Sequence, residues 1–389
     1  MNVTGIDCHI LLVPEYSVAA NSSAQDNLVV EVHADNGLTG IGETDTNPWV
    51  AKACIEAPGT HVMGQGLKEM LLGRDPEDVE TIWWDLYNGS KMTGRRGALI
   101  CAMGAIDMAL WDLRAKARDV PVHRLLDDPA RDFITPYASL LPDGKTIAEY
   151  GDSLLYKLTT ARDLGYRAAK LEICINGPYS HNSLQEDDAL GVAMVEACRK
   201  AVGPDFTLMV DVAYSWPDPE TALRVIQQLA PLDIFFLETP LDIDDLEGHA
   251  WLQERSPIPL AAGEWQNTHF EFEDLALRGK LDVLQPDIGR VGGFTPALKV
   301  RDLAARTGRL IVPHCWKTGI GIAASAHFAA VSPMCPYIEF LPANLSESAL
   351  RQELTHDEIR LADGVIPLPR QPGLGVELNR TALERYKVG

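Results

Sequence analysis

The chain has 389 residues, of which 46% are hydrophobic and 23% are charged, and its 34 Lys and Arg stand against 55 Asp and Glu for a formal net charge of -21. This length allows two domains, and the composition is that of a globular protein, not of a disordered or fibrous one. The acidic balance argues against a basic surface for nucleic acid, so we predict no nucleic-acid partner.

Seven cysteines are scattered along the chain without a CxxC pair. An odd and dispersed set argues against a disulfide framework or a zinc site and fits a reducing compartment. The N-terminal segment lacks the basic start and long apolar core of a signal peptide, and the chain has no apolar run of about 18 residues. We therefore predict a cytoplasmic protein with no membrane span and no membrane partner.

The sequence pattern predicts an α+β structure for the first part of the chain. Residues 27–33 alternate as in a strand, Asp35-Asn36-Gly37 predicts a turn, and residues 40–43 return as a second strand. From residue 75 to 126 the apolar spacing is close to 3.6, which indicates helix, and Asp119 and Pro121 end that segment. We predict an α+β capping domain over residues 1–128.

After about residue 130, eight short apolar runs recur, each followed by a helical stretch. They span residues 134–140, 168–173, 207–212, 234–238, 260–264, 283–287, 310–314 and 337–340. Such runs are typical of parallel strands that are buried on both faces, and eight of them predict a TIM-type barrel over residues 129–345. A doubly wound open sheet is the alternative, but it usually has a glycine-rich loop after its first strand, and residues 134–143 contain none. The irregular tail, residues 346–389, is expected to pack back on the capping domain.

Most of these runs end in an ionisable residue. The C-terminal ends of barrel strands meet at one mouth, where active sites of such barrels lie. A single carboxylate there could cap the following helix, but acidic residues at five consecutive ends, from Glu172 to Asp287, indicate a functional site.

Three of these residues, Asp211, Glu238 and Glu264, end consecutive predicted strands and are 27 and 26 residues apart. Adjacent strands lie roughly 4.8 Å apart, so the three carboxylates would face one point and repel each other unless a cation lies between them. An all-oxygen ligand set suits Mg²⁺ first, with Mn²⁺ as a substitute. Unrelated helix caps or surface ion pairs are the alternative interpretation.

A histidine and a carboxylate end two further neighbouring runs. Asp287 beside His314 would fix the tautomer of the imidazole and raise its basicity, which makes His314 a candidate general base or acid. An isolated histidine is more often a core residue, and the predicted proximity of Asp287 favours the catalytic interpretation.

Five motifs of the sequence point to a known family. They are Leu-Glu-Thr-Pro at 237–240, Gly-Glu at 263–264, Gln-Pro-Asp-Ile-Gly-Arg-Val-Gly-Gly at 285–293, Pro-His at 313–314, and Ala-Ile-Asp-Met-Ala-Leu-Trp-Asp at 105–112. In these motifs the chain resembles the enolase superfamily, mandelate racemase subgroup, over essentially its whole length. The resemblance implies a modified TIM barrel of the (β/α)7β type, and it matches Asp211, Glu238 and Glu264 to the metal ligands and His314 with Asp287 to the catalytic dyad.

Other positions receive roles from the same resemblance. Lys170 matches the first lysine of a Lys-x-Lys pair that neutralises the substrate carboxylate, and Glu339 matches an acid that hydrogen-bonds it. The cap loops at 16–25, which contain Tyr16, and at 47–49, which end at Trp49, match the regions that select the substrate. Trp316 and Lys317, just after His314, either contact substrate or pack the barrel rim. We expect a small carboxylate substrate and a homo-oligomer.

Two positions depart from the family pattern. Glu172 replaces the second lysine of the pair, which in the family is a base on the face opposite the histidine. Ala213 replaces an asparagine often found two residues after the first metal ligand. The first departure bears on the reaction, because a racemase needs a base on each face of the α-carbon.

These residues predict abstraction of the α-proton of a carboxylate. A single base on the His314 face suits β-elimination, so we expect an acid-sugar dehydratase that forms a 2-keto-3-deoxy acid from an aldonate or aldarate. A racemase, epimerase or lactone cycloisomerase with Glu172 as second base is the alternative. Glu172 could also contact a substrate hydroxyl or pair with Lys170. A sugar-acid binding protein without catalysis is a third class, against which the intact dyad argues.

Overall fold

The computed structural model describes residues 1–18, 20, 22–346, 348–356 and 359–388. Six residues lie outside the described part. Ala19 and Asn21 belong to the predicted cap loop at 16–25, whereas residues 347, 357, 358 and 389 belong to the predicted tail.

An antiparallel sheet opens the chain. It consists of β1 (Val3–Leu12), β2 (Asp26–Ala34) and β3 (Thr39–Thr44) in that order. Leu28 pairs with Ile10 on one side and with Thr44 on the other. Between β2 and β3 the chain turns at Gly37, whose φ of +83° is a conformation that glycine adopts readily. The predicted hairpin is confirmed.

Five helices follow this sheet along the chain. They are α1 (Pro48–Glu56), α2 (Leu67–Leu71), α3 (Val79–Gly89), α4 (Ala98–Ala117) and α5 (His123–Leu126), with a 3₁₀ turn at Pro76–Asp78. Two of the helices, α1 and α4, pack against the sheet. The long helix α4 is buried over most of its length and lies directly on β3. The approach is so close that a side chain at Gly40 would meet the carbonyl oxygen of Ala109 at 2.0 Å, so glycine is required there.

The second part is a sheet of eight parallel strands. They are β5 (Pro136–Leu140), β6 (Ala168–Glu172), β7 (Thr207–Asp211), β8 (Ile234–Glu238), β9 (Leu260–Ala262), β10 (Val283–Leu284), β11 (Leu310–Ile311) and β12 (Ile338–Phe340), preceded by the short β4 (Phe133–Ile134). Strand β12 pairs with β5, so the sheet curls round on itself as a barrel does, and the predicted α/β fold of a modified TIM barrel with a separate cap is confirmed.

Helices follow the barrel strands. They are α6 (Ile147–Asp163), α7 (Asp188–Val202), α8 (Pro219–Leu229), α9 (Leu246–Gln253), α10 (Thr268–Leu277), α11 (Ile288–Val291), α12 (Phe294–Thr307) and α13 (Gly319–Ala330). Two 3₁₀ turns, His181–Ser183 and Ala230–Leu232, lie in the connections.

Several strands are shorter than the apolar runs that predicted them. Glu264, Asp287 and His314 do not end strands but follow β9, β10 and β11 by two or three residues. The physical reason is local, because proline at 286 and 313 has no N–H for the ladder and Gly263 adopts a φ of +137°. These three side chains therefore stand on loops at the mouth.

The barrel closes at a seam between β11 and β12. Within the described residues these two strands share no paired register. They are linked instead by the N–H of Glu339, which donates to the carbonyl oxygen of Pro313 at 3.3 Å, and by the N–H of Ile311, which donates to that of Met334 at 3.0 Å.

The tail contacts both the cap and the barrel. It contains α14 (Ala349–Glu353), β13 (Thr355–His356), β14 (Ile366–Pro367), β15 (Glu377–Leu378) and α15 (Arg380–Tyr386). Strand β14 pairs with β4, while the N–H of Leu374 donates to Asp112 of α4 at 2.7 Å and the Arg380 guanidinium binds Glu31 of β2. The domain boundaries at 128 and 345 stay predictions. Across the described ranges, no helix combines the length and apolarity needed to cross a bilayer.

Candidate active site

A cavity of about 420 Å³ opens at the mouth of the barrel, at the C-terminal ends of the strands. Its inner wall carries Lys170, Glu172, Asp211, Glu264 and His314, all of which were predicted from the sequence. The predicted residues Glu238 and Glu339 are fully buried beneath this wall. The structure therefore brings the predicted ionisable residues into one place.

Lys170 is the centre of the inner wall. Its ammonium lies 2.9 Å from carboxylate oxygens of Glu238 and Glu339, 3.2 Å from Asp211 and 3.5 Å from Glu172, and only 1% of the side chain is exposed. Burial lowers the pKa of this ammonium, but the surrounding carboxylates outweigh burial and raise that pKa well above its ordinary value. Lys170 therefore stays charged.

The strand register explains why the carboxylates meet. Asp211 pairs with Glu172 on one side and with Glu238 on the other, so the three side chains lie side by side. Burial, and next the Asp211 charge, raise the pKa of Glu238 well above its ordinary value. In Asp211, burial is outweighed by the Lys170 charge and by hydrogen bonds, so its pKa falls. The two carboxyls therefore repel each other, and a proton or a cation between them would relieve this repulsion.

His314 and Asp287 form the predicted pair. Nδ1 of His314 lies 2.7 Å from a carboxylate oxygen of Asp287, whose other oxygen accepts from the N–H groups of Gly289 and Arg290 at the start of α11. Burial would lower the pKa of His314, but the charges of Glu339, Asp287 and Glu264 raise it. Asp287 is thus held rigidly and orients the imidazole, leaving Nε2 toward the cavity.

Glu264 links Tyr214 to His314 in the cavity wall. One carboxylate oxygen accepts from the hydroxyl of Tyr214 at 2.8 Å, and the other lies 3.2 Å from Nε2 of His314. Glu264 therefore faces the histidine, while Asp211 and Glu238 face Lys170.

A buried charge network joins the cap to the barrel behind His314. Asp45, just after β3, binds the guanidinium of Arg290, and its other oxygen lies 3.0 Å from Nζ of Lys317. Burial would raise the pKa of Asp45, but the two cations hold it at about 2. Among the described residues, Asp45, Asp287 and His314 also bring one ligand atom each within 4.8 Å of one another. Because all three are already paired with cations, backbone N–H groups or each other, we interpret this group as part of the charge network.

The predicted metal ligands fit a divalent cation on charge and chemistry. Five carboxyl groups meet around the inner wall with one ammonium among them, and such a cluster is stable only when cations or protons compensate it. Their donor atoms are all oxygens, which suits Mg²⁺. Asp211, Glu238 and Glu264 are not gathered as tightly as the charge-network group, since the first two are drawn to Lys170.

Glu172, the position that departs from the family pattern, lies in the cavity wall next to Lys170. Its second carboxylate oxygen accepts a hydrogen bond from the thiol of Cys174 at 3.7 Å. Burial, and then the neighbouring Asp211 charge, raise the pKa of Glu172 well above its ordinary value. Glu172 thus faces the substrate space, and its role stays a prediction.

The four predicted substrate contacts have different surroundings. Trp316 lines the cavity, and its indole N–H donates to the hydroxyl of Ser22 at 3.0 Å. Lys317 does not line the cavity, because its ammonium binds oxygens of Ser23, Asp26 and Asp45. Tyr16 and Trp49 are half exposed and are not among the lining residues. Substrate contact by any of the four stays a prediction.

Sequence reasoning overlooked several residues of the site. Tyr214 and Trp265 line the cavity, and Arg290 reaches both Asp45 and the carbonyl oxygen of Glu264. Proximity in sequence to predicted site residues could have indicated two of them, because Trp265 directly follows Glu264 and Arg290 lies three positions after Asp287.

Two family models match the chain. Residues 10–127 match the mandelate racemase / muconate lactonizing enzyme N-terminal domain, and residues 155–382 match the enolase C-terminal domain-like family.

Known proteins are similar over the full length. The D-galactarolactone cycloisomerase of Agrobacterium fabrum is 30% identical over 100% of this chain and 99% of its own, and the L-rhamnonate dehydratase of Saccharopolyspora erythraea is 32% identical over 94% and 87%. The crystal structure of a racemase from Streptomyces coelicolor A3(2) with bound magnesium superposes with a TM-score of 0.84 at 25% identity, covering 99% of this chain and 100% of that one. These relatives are lyases and isomerases.

Proposed function

Because the chain belongs to the mandelate racemase and muconate lactonizing enzyme family of the enolase superfamily, we propose that it dehydrates an acid sugar to a 2-keto-3-deoxy acid. The relatives support an enzyme of this kind, since they include a dehydratase and a cycloisomerase that act on sugar acids or their lactones.

The observation that carries the proposal is the presence, in one cavity, of the oriented His314–Asp287 pair and the buried, charged Lys170. The pair supplies a base whose Nε2 faces the cavity. Lys170 supplies a fixed positive charge for the carboxylate of the substrate. Glu339 lies between the two, 2.9 Å from Lys170 and 3.8 Å from Nε2 of His314.

In the proposed reaction, Nε2 of His314 takes the proton from C2 of a 2,3-dihydroxy acid. Asp287 stabilises the imidazolium that forms. The imidazolium then returns this proton to the 3-hydroxyl on the same face, the C3–O bond breaks and water leaves. The remaining enol becomes the 2-keto-3-deoxy acid, so one molecule of acid gives one of keto acid and one of water.

We propose that Asp211, Glu238 and Glu264 hold Mg²⁺. The magnesium in the related racemase structure and the excess of carboxylates in this cavity support this assignment. When bound, the ion would neutralise the negative charge that develops on the substrate carboxylate as the α-proton leaves, which is worth several kcal/mol.

An isomerase is the second candidate. The observation in its favour is the position of Glu172 in the cavity wall, where it is available as a second acid or base. A racemase or cycloisomerase would exchange the α-hydrogen with solvent without forming a keto acid.

The test is incubation with a library of aldonates and aldarates in Mg²⁺ and deuterium oxide, followed by semicarbazone absorbance for keto acids and by NMR for exchange at C2. We expect a keto acid from at least one substrate. His314→Asn should lower kcat at least a thousandfold, because general-base catalysis and the return of the proton are both lost, while calorimetry should show unchanged Mg²⁺ binding.

Exchange of the C2 hydrogen for deuterium without formation of a keto acid would show that the enzyme is an isomerase instead. Turnover that His314→Asn leaves unaltered would rule out the assigned base, whichever product forms.

A further inference from the structure

We infer that the substrate is a monocarboxylic acid sugar whose far end is uncharged and presents C–H surface, as in a 6-deoxy or 6-O-methyl sugar acid. This inference rests on the proposed function, because it names the substrate class of the same cavity.

The first argument is the charge of the cavity wall. Its basic residues are Lys170, Arg290 and His314, and each is already engaged. Lys170 is surrounded by carboxylates, Arg290 binds Asp45 and the carbonyl oxygen of Glu264, and His314 binds Asp287. None of these cations is left for the far end of a substrate.

Among the described residues, the cavity lining contains no further Lys, Arg or His. Lys317, which follows the lining residue Trp316, is tied to oxygens of the cap and does not line the cavity. The six residues outside the described part include no Lys, Arg or His. A second carboxylate, as in an aldarate, would therefore be desolvated without a partner in a protein of net charge -21, which is costly.

The second argument is an aromatic wall formed by Tyr179, Tyr214 and Trp265. The rings of Tyr214 and Trp265 are stacked with centroids 4.3 Å apart, and the Tyr179 ring meets Trp265 edge-on at 5.4 Å. The hydroxyl of Tyr214 is fixed on Glu264, so the wall begins at the reaction centre and extends outward. All three residues line the cavity, yet Tyr179 and Trp265 remain 48% and 38% exposed.

Such rings attract C–H surface through dispersion and apolar burial more than they attract hydroxyl groups. The remaining outer wall adds Trp316, Leu141 and Val18 together with serine hydroxyls, all without charge. A substrate that fills this end would therefore place a methyl group there, with few hydroxyls to be desolvated.

The test compares four acids of matched stereochemistry with Mg²⁺ present: a 6-deoxyhexonate, a 6-O-methylhexonate, a hexonate and a hexarate. We expect kcat/KM for the better of the first two to exceed that of the hexonate and of the hexarate at least tenfold. A hexarate or hexonate within tenfold of them, or above them, overturns the inference.

Binding is measured separately, so that failure of the proposed reaction is distinguishable. Calorimetry with the His314→Asn variant and Mg²⁺ gives Kd for the four acids without turnover. If the native chain converts none of the acids, the proposed function is wrong. The Kd values then test the inference on their own, and the better of the first two acids should bind at least tenfold more tightly than the hexonate and the hexarate.

A variant pair tests the aromatic wall. Tyr179→Ala should raise KM for the preferred acid about fivefold and change kcat less than twofold, whereas Tyr179→Phe should retain the native KM. The matched control is Tyr156→Ala, since Tyr156 is exposed on α6 and is not among the residues that line the cavity. An unchanged KM in a folded Tyr179→Ala protein would contradict a role for the wall.

Discussion

The role of Glu172 distinguishes dehydration, which needs only the base on the His314 face, from isomerisation, which would use Glu172 as a second base. Glu172 stands on β6 two residues beyond Lys170, beside Asp211 of β7, and burial and that charge raise its pKa. In a dehydratase the His314 face is sufficient, and Glu172 would serve only to shape the site and balance the charge of Lys170.

We therefore expect Glu172→Gln to lower kcat for dehydration by less than about tenfold, because the isosteric amide keeps the shape and no proton transfer is lost. The measurement is steady-state kinetics on the preferred acid, with His314→Asn as the inactive reference. Loss of activity as complete as in that reference, or loss of exchange at C2 in one stereochemical direction only, would mark Glu172 as a base.

The proposed metal ligands predict that activity requires a divalent ion. Extensive dialysis against EDTA should abolish turnover and Mg²⁺ should restore it, whereas Glu238→Gln should weaken Mg²⁺ binding at least tenfold by calorimetry. The matched control is Glu196→Gln, because Glu196 is exposed on α7. Native activity without any divalent ion would contradict the assigned ligands.

At the scale of elements, the acidic mouth follows from the order of strands and was predictable from sequence. Parallel strands of a barrel end at the same rim, so acidic residues spaced like βα units had to meet. The contribution of Asp45 could not be predicted, because it reaches Arg290 from a position 245 residues earlier in the chain. Likewise, no local pattern indicates that the hydroxyl of Tyr214 binds Glu264.

The contact between β3 and α11 supplies a stability prediction. Asp45→Asn should lower the free energy of unfolding by about 3 kcal/mol at neutral pH, because Arg290 and Lys317 would lose a buried counter-charge. Urea unfolding of the variant and of the exposed control Asp205→Asn measures the difference. Equal stability of the two variants would show that the network contributes nothing to cap attachment.

At the scale of the whole molecule, a buried pair of histidines joins the barrel, α5 and the tail. Nδ1 of His327 in α13 lies 3.1 Å from the backbone N–H and from Nδ1 of His123, while its Nε2 donates to the carbonyl oxygen of Leu374 at 3.2 Å. Burial lowers the pKa of His327 to about 3 and that of His123 to about 4. Both rings are therefore neutral in the folded protein.

This pair predicts a loss of stability in acid. Below pH 6.5, the ordinary pKa of histidine, the unfolded chain binds protons at these two positions and the folded chain does not. The free energy of unfolding therefore decreases as the pH is lowered toward 4. Each ring contributes about 1.4 kcal/mol per pH unit. Urea unfolding between pH 7 and 4.5 measures how steeply the free energy of unfolding falls with pH. This dependence should be weaker for His327→Gln than for the native protein, whereas His356→Gln, at an exposed position, should keep the native dependence. The same pH dependence in all three proteins would exclude the histidine pair as its cause.

The seam of the barrel has a consequence for how the molecule fluctuates. Its two sides carry His314, three residues after β11, and Glu339 of β12, and few backbone hydrogen bonds join them. Amide hydrogen exchange should therefore be fastest among the barrel strands at β11 and β12, where opening costs the fewest bonds. Any such opening would separate the imidazole of His314 from the carboxylate of Glu339, so the most frequent opening of the barrel would also interrupt the arrangement that proton transfer needs.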